Sequence, residues 1–277
     1  MDQEKHKPFL KYAGGKFKLV DELKKYFPEN ASRYIEPFLG SGAVFFNVEY
    51  DKYILNDNNQ DLMSIFRNLR KHGEGFLDYV ESFFYDGNND ENIFYDFRKE
   101  FNKTDDKLKK SALFIYLNRH CYNGLCRYNG KNEFNVPFGK YNTIYFPRKE
   151  MEFCIEKIKK CSLFGMDFRR IFQKVKRNDV VYCDPPYIPL SDTAYFTDYS
   201  NNNGFSLKDH EELAQCAQLA AKKGATVIVS NHFTPETEEL YKDAEIYSID
   251  VQRNISRDGE NREKIKEIIA VYRKAKE

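Results

Sequence analysis

Tyr34-Ile35-Glu36-Pro37-Phe38-Leu39-Gly40-Ser41-Gly42-Ala43-Val44-Phe45-Phe46 joins a short apolar strand to a Gly-x-Gly turn and an apolar helical start. Glycines there let the backbone approach a ligand closely, and amides at a helix N-terminus face the ligand's polar end. The third glycine of the dinucleotide fingerprint is absent, which disfavours a nicotinamide or flavin enzyme. Downstream, Tyr53-Ile54-Leu55-Asn56 reads as a second strand, tipped by Asp57 seventeen positions after Gly40. An acid at that place can accept hydrogen bonds from a ribose diol. The competing reading is a helix N-cap, because Asp61-Leu62-Met63 begins an amphipathic pattern. Glycine turn and acid together favour a nucleoside ligand on an α/β sheet.

Working outward, Phe9-Leu10-Lys11-Tyr12-Ala13-Gly14-Gly15-Lys16 places a ring and an amine around a glycine loop. Such a loop could hold a ligand's base and carboxylate, although an ordinary turn has the same composition. A helix is expected over 18–26, stopped by Pro28. On the C-terminal side, 161–164 reads as a third strand and 179–183 as a fourth. The β-branched run of that fourth strand stops at Asp184-Pro185-Pro186-Tyr187, since proline removes ladder donors and restrains its predecessor. Open α/β sheets bind ligands at that edge. Asp184 supplies carboxylate oxygens, the prolines offer carbonyls without competing N–H groups, and Tyr187 offers a ring, a set suited to a planar group bearing an exocyclic NH2. A rigid turn is the plainer reading of Asp-Pro-Pro alone. The polar stretch 189–204 reads as a lid or DNA-contacting loop, followed by a helix over 207–223, a strand over 225–230 and a closing hairpin from 246–251 and 265–272.

With 277 residues the chain can hold one large domain or two smaller ones around a substantial core. Basic and acidic residues nearly cancel, 44 against 43, so a nucleic-acid patch must be local. Neither a long apolar run nor a signal-peptide core is present, which predicts a soluble, cytoplasmic protein with no membrane association. Six scattered cysteines without a Cys-x-x-Cys pair predict reduced thiols instead of a disulfide framework or zinc site.

The βα alternation lapses between Asp61 and Pro147, which marks an insertion. From Arg98 to Lys149 there are twelve basic residues against four acidic, a net +8 in a chain whose total is +1. That asymmetry attracts a polyanion, though a solvated face can carry the same excess. Within it, Leu117-Asn118-Arg119-His120-Cys121-Tyr122-Asn123-Gly124-Leu125-Cys126-Arg127-Tyr128-Asn129 interleaves Arg and Asn with Tyr and Gly. Arg and Asn have the fork geometry that reads guanine and adenine edges, and Tyr stacks or wedges between bases.

These motifs in this order, from Phe9 to about Tyr272, closely resemble the Dam-type DNA adenine-N6 methyltransferases. The Asn118-Arg119 run through Phe134-Asn135-Val136-Pro137-Phe138-Gly139 resembles the subgroup recognising GATC. The resemblance implies a seven-strand S-adenosylmethionine-dependent, Rossmann-like methyltransferase sheet whose last hairpin is antiparallel. A discontinuous catalytic domain (1–60 and 148–277) would be interrupted by a mainly helical target-recognition domain (61–147). S-adenosylmethionine would be the methyl donor, with no metal. Tyr12, Lys16, Phe38, the Gly40 to Gly42 turn, Asp57 and Asp184 would surround it, and Asp184 with Pro185, Pro186 and Tyr187 would be catalytic. By the same resemblance, Arg127 would read guanine, Leu125 and Pro137 would meet bases including the thymine methyl, and Tyr122 with Asn123 would enter the stack. Arg98, Arg119, Asn135 and Lys140 would hold the backbone, with Lys11 and Asn129 also facing duplex DNA. Two departures stand out: Tyr12 where members often carry Trp, and Lys140 where close relatives tend to have Arg, which alone makes a forked contact.

The implied reaction flips the target adenine out of the duplex and methylates its N6 amine. Two rivals share parts of the pattern. One is an exocyclic-amine methyltransferase acting on cytosine N4 or RNA; the other is a DNA-binding relative without catalysis. Nothing in the sequence indicates an obligate protein partner, and both an orphan enzyme and one half of a restriction-modification pair fit.

Overall fold

The structure, a computed structural model, describes residues 5–12, 14–188, 204–252 and 264–274. Seven strands form one sheet: β1 Arg33–Glu36, β2 Tyr53–Asn56, β3 Cys161–Phe164, β4 Asp179–Cys183, β5 Thr226–His232, β6 Glu245–Gln252 and β7 Lys264–Tyr272. Their order is β3-β2-β1-β4-β5-β7-β6. β1 pairs in parallel with β2 and β4, and β4 with β5, whereas β7 runs antiparallel between β5 and β6. The expected α/β fold with an antiparallel closing hairpin is therefore present.

β4 is buried along its whole length and β1 from Tyr34 onward, as expected of parallel strands covered on both faces. The strand order reverses at β1 and β4, whose C-terminal residues Glu36 and Cys183 lie at one edge of the sheet. Such a switch point is where α/β sheets take ligands.

Two compact units divide the chain. One comprises 1–20, 39–49 and 56–165; the other comprises 21–38, 50–55 and 166–277. In the second unit, Phe27, Tyr34 and Tyr182 pack ring on ring, and Arg33 forks onto the buried Asp179 at 2.9 and 2.6 Å. The first unit is mainly helical: α2 Gln60–His72, α3 Glu74–Glu81, α4 Glu91–Lys103, α5 Lys107–His120 and α6 Arg148–Ile158. Asn59, Asp90 and Asp106 cap α2, α4 and α5 by accepting amides of the first turn. Every residue from Ser111 to Asn118 of α5 is buried, so this helix is surrounded and shows no amphipathic stripe. Phe84, Phe94 and Phe97 ring Tyr116, on which His120 stacks at 3.8 Å.

Local structure departs from expectation in two places. The segment 18–26 is a 3-10 turn, Lys16–Leu19, running into a short helix α1, Val20–Lys24. The apolar start after Gly42 yields only the 3-10 turn Phe45–Asn47, not an α-helix. Asn47 ends it: its side-chain amide donates to Ala43 O at 2.8 Å and His6 O at 2.9 Å, its carbonyl oxygen accepts from His6 N–H, and Val48 is extended. Further along, α7 is Phe168–Phe172, α8 Leu207–Lys222 and α9 Pro235–Leu240; β5 continues two residues past the expected Ser230. Residues 189–203 of the expected lid and Ala13 of the glycine loop lie outside the described residues.

All six cysteines are free thiols. Burial pushes Cys121 up to about 11 and Cys126 and Cys161 up to about 12, and raises Cys154, Cys183 and Cys216 as well. Among the described residues no helix is long and apolar enough to cross a membrane.

Candidate active site

In the second unit, strand alternation places Tyr182 and Asp184 on one face of the sheet. The register pairs Cys183 with Val229, and one step further sets Asp184 opposite Ser230. Ser230 Oγ donates to Asp184 Oδ1 at 3.0 Å, and the Tyr182 hydroxyl lies 3.1 Å from the same Oγ. On the same face the Tyr187 hydroxyl donates to Glu267 Oε2 at 2.9 Å. The Tyr187 ring meets His232 edge-on at 4.8 Å.

The chain beyond the prolines is pinned from β5. Ile188 N–H donates to Asn231 Oδ1 at 3.1 Å, and Ile188 O lies 2.8 Å from His232 Nδ1. Pro185 is buried and Pro186 exposed. Nearer β1, the Tyr34 hydroxyl donates to the buried Glu36 at 2.9 Å. Glu36, Asp184 and Glu267 thus share one face, each receiving a hydroxyl hydrogen bond. Burial, reinforced by neighbouring carboxylates, holds Tyr34, Tyr182 and Tyr187 well above the usual phenol range, so all three remain donors. Phe38 packs on Phe168 and Phe205, each at 5.5 Å.

In the first unit, Gly40 takes φ +49° and gives its N–H to Asp57 Oδ2 at 2.9 Å. Asn59 N–H donates to the other oxygen of Asp57 at 2.9 Å, so Asp57 precedes the helix cap and Asn59 is the cap itself. Burial raises the Asp57 pKa against the opposing pull of these two amides. The Tyr12 ring covers Gly40: a Cβ there would lie 3.2 Å from Tyr12 Cε1. Lys16 is buried and its Nζ donates to Gly14 O at 2.8 Å, tightening the glycine loop. Tyr12, Gly40 and Asp57 therefore come together, with Lys16 closing the loop that follows Tyr12.

The predicted reader block also belongs to this unit. Arg127 is exposed and held by Asn135, whose Oδ1 accepts from Nε at 2.8 Å. Tyr122 is 54 % exposed, and Asn123 takes φ +53° with its N–H donating to the Tyr141 hydroxyl at 3.0 Å. Pro137 is exposed and Leu125 half-buried. Asn129 closes a hairpin, accepting from Lys131 and Glu133 amides while its own amide donates to Glu133. Arg98 donates to Val136 O and Arg119 to Tyr145 O. Lys11 lies over the Tyr141 ring with Nζ on Arg119 O at 3.0 Å. Part of the local +8 is offset from outside that window: Lys110 pairs with Asp61, Lys140 with Glu91, and Arg148 with Asp78 and Glu81.

Sequence reasoning missed Ser230, Glu267 and Asn118 as architectural residues. Glu267 had a readable signal, an acid set into the apolar run Ile268-Ile269-Ala270-Val271. Asn118 is fully buried and ties Lys11 to Gly124 through main-chain hydrogen bonds.

Comparison with known proteins completes the picture. The family model for the D12 class N6 adenine-specific DNA methyltransferases matches residues 12–255. The DNA adenine methylase of Vibrio cholerae is 41% identical over 270 residues, covering 97% of each chain. That of Haemophilus influenzae is 43% identical over 270 residues, 97% of this chain and 94% of the relative. The Escherichia coli K12 protein is 40% identical over 270 residues, 98% and 96%. With sheet, amine-suited turn and glycine cradle in place, this chain belongs to the D12 class N6 adenine-specific DNA methyltransferases.

Proposed function

We propose that the chain transfers a methyl group from S-adenosylmethionine to N6 of an adenine flipped out of duplex DNA at GATC. The observation that carries this reading is the hydrogen-bonded carboxylate of Asp184, set beside Pro185 and the fixed ring of Tyr187.

The residues present suit the donor. Gly40 leaves open the space a Cβ would fill beneath Tyr12, and Asp57 presents carboxylate oxygens suited to a ribose diol. Tyr12 supplies a stacking face, Lys16 closes the Gly14-Gly15 loop, and Phe38 precedes the turn that Gly42 completes. When bound, S-adenosylmethionine supplies an electrophilic sulfonium methyl.

The chain's own groups hold the target. Asp184 and the Pro185 carbonyl accept the two N6 hydrogens, while Tyr187 stacks on the ring. Holding both hydrogens turns the nitrogen lone pair out of conjugation. Asp184 need not be a strong base, because the amine becomes acidic only once it carries the methyl and a positive charge. Tyr187 is fixed at its hydroxyl by Glu267 and at its ring by His232, which suits a stacking platform.

In the insert, taken as a recognition domain over 61–147, Arg127 presents a guanidinium aimed by Asn135 toward guanine. Tyr122 and Asn123 take the space left by the flipped base, and Leu125 and Pro137 meet bases. Arg98, Arg119 and Lys140 face phosphate; a guanidinium carries five donors, so one bond to a carbonyl does not exhaust it. Asn129 serves this surface by shaping its hairpin. A cytoplasmic, DNA-associated location accords with the bacterial relatives.

Labelled donor offered with duplexes containing GATC or GTTC, and with single-stranded RNA, tests the reading. Label enters GATC alone; label on RNA or equally on both duplexes overturns it. Asp184→Ala leaves a folded chain that binds the duplex without transferring label, and near-normal turnover would remove Asp184 from its role.

A further inference from the structure

Asp184 is met by a directed hydrogen-bond chain. A carboxylate only accepts, so at 3.0 Å the Ser230 hydroxyl must give its single proton to Asp184 Oδ1. That proton being committed, the 3.1 Å contact to Tyr182 can be made only with the phenol donating to Ser230 Oγ. The order is therefore Tyr182 to Ser230 to Asp184. All three side chains project from one face of β4 and β5, and the strand register fixes their spacing. Tyr182 and Ser230 are fully buried, so water does not compete for either hydroxyl. Two other acceptors lie near Ser230 Oγ, Cys183 O at 3.4 Å and the Tyr187 hydroxyl, and a neutral oxygen loses to a carboxylate.

We propose that Ser230 is a positioning residue for methyl transfer: fed by Tyr182, its hydroxyl clamps one oxygen of Asp184 and so fixes the plane in which that carboxylate meets the substrate amine. The inference rests on the reading that Asp184 accepts from the target amine. A carboxylate swings about two torsions, and in-line attack depends on the direction in which the N6 hydrogens are held. Clamping one oxygen fixes both torsions. Neither hydroxyl touches the amine, so their loss affects the chemical step and not the assembly of the complex.

The test compares S230A, S230C, Y182F and S230A/Y182F in the full chain, with labelled S-adenosylmethionine and a GATC duplex. S230A is expected to slow single-turnover transfer by about tenfold to a hundredfold, the range for a hydrogen bond to a charged group, with KM for donor and duplex unchanged within about twofold. S230C, a weak donor of similar volume, recovers part of the loss. Y182F costs a smaller factor alone and adds nothing in the S230A background, because the chain is already cut. Parent-like turnover in S230A, or a loss carried by KM, overturns the proposal, and a double variant slowed by the full Y182F factor overturns the relay. D184N separates the two failures. If D184N turns over normally, the role of Asp184 falls; if D184N is inactive while S230A is normal, only the Ser230 inference falls.

Discussion

Replacing Asn118 with Leu removes three main-chain hydrogen bonds at one stroke. Its Oδ1 accepts from Lys11 N–H at 2.9 Å, and its Nδ2 donates to Lys11 O at 2.8 Å and Gly124 O at 3.1 Å. The side chain has no exposed surface, and Leu keeps its branched skeleton, with bulkier methyl ends, without offering any polar partner. A buried donor or acceptor left unpaired costs about 1–3 kcal/mol. The Lys11 groups are only part-buried and recover some hydration, so the expected loss is about 3 kcal/mol, not the full sum. That is a large fraction of a typical stability of roughly 5–15 kcal/mol. The effect extends to the proposed DNA-reading block because Gly124 closes the Tyr122–Gly124 turn at φ +63°, and a Cβ there would sit 2.1 Å from Lys11 Cβ. Urea unfolding followed by circular dichroism reads the stability, and amide exchange at Lys11 reads the local opening. KM for the GATC duplex should rise while KM for the donor stays. Stability within about 0.5 kcal/mol of the parent, the ordinary range for surface substitutions, would refute the claim that Asn118 ties these segments together.

Three further outcomes are expected. His120 and His210 are buried, and desolvation lowers each to about 4. Between about 6.5 and about 4 the unfolded chain therefore binds protons that the fold rejects, so stability is complete above that window and falls by about 1.4 kcal/mol per pH unit per histidine as the pH drops. His210→Gln should roughly halve the histidine-linked slope of the urea midpoint against pH in that window, His120 supplying the rest, and an unchanged slope contradicts the assignment. Gly40→Ala places a Cβ against the Tyr12 ring at a positive φ; KM for the donor should rise about tenfold with duplex affinity unchanged, and equal donor KM would mean the cradle tolerates the methyl. Arg127→Ala should cost about 1–3 kcal/mol of discrimination at one guanine. Asn135→Ala should cost a smaller part of the same discrimination, whereas uniform weakening across sequences would place both residues on phosphate.

The parallel strands were legible because each is a short apolar run ended by a turn signal, and Asp184-Pro185-Pro186-Tyr187 marks its own strand end. The glycine turn was legible as a ligand approach, but not its helical sequel, because Asn47 bonds back to Ala43 and His6, a contact spanning 41 positions. α5 gave no periodic signal because neighbours cover all its faces between Ser111 and Asn118. Ser230 reads as an ordinary strand residue, and Glu267 only as an acid out of place in an apolar run, until the register of β4, β5 and β7 sets them beside Asp184 and Tyr187. Their partners lie 46 and 80 positions away, a distance at which local pattern does not say which residue is the partner. Asn129 and Lys11 had side chains suited to DNA, and only the fold reveals the main-chain partners those side chains already serve.

Four buried thiols and two half-buried ones, Cys126 and Cys216, bear on handling the protein at the bench. The thiolate is the form that alkylating and oxidising reagents attack, and each of these cysteines is shifted away from it. A cysteine introduced at the exposed hairpin tip, in place of Lys131, would ionise near the ordinary thiol value and react first with a maleimide dye. The four buried sulfurs can therefore stay in place, and replacing Cys126 and Cys216 alone leaves a background in which a fluorophore is installed beside the Arg127 surface.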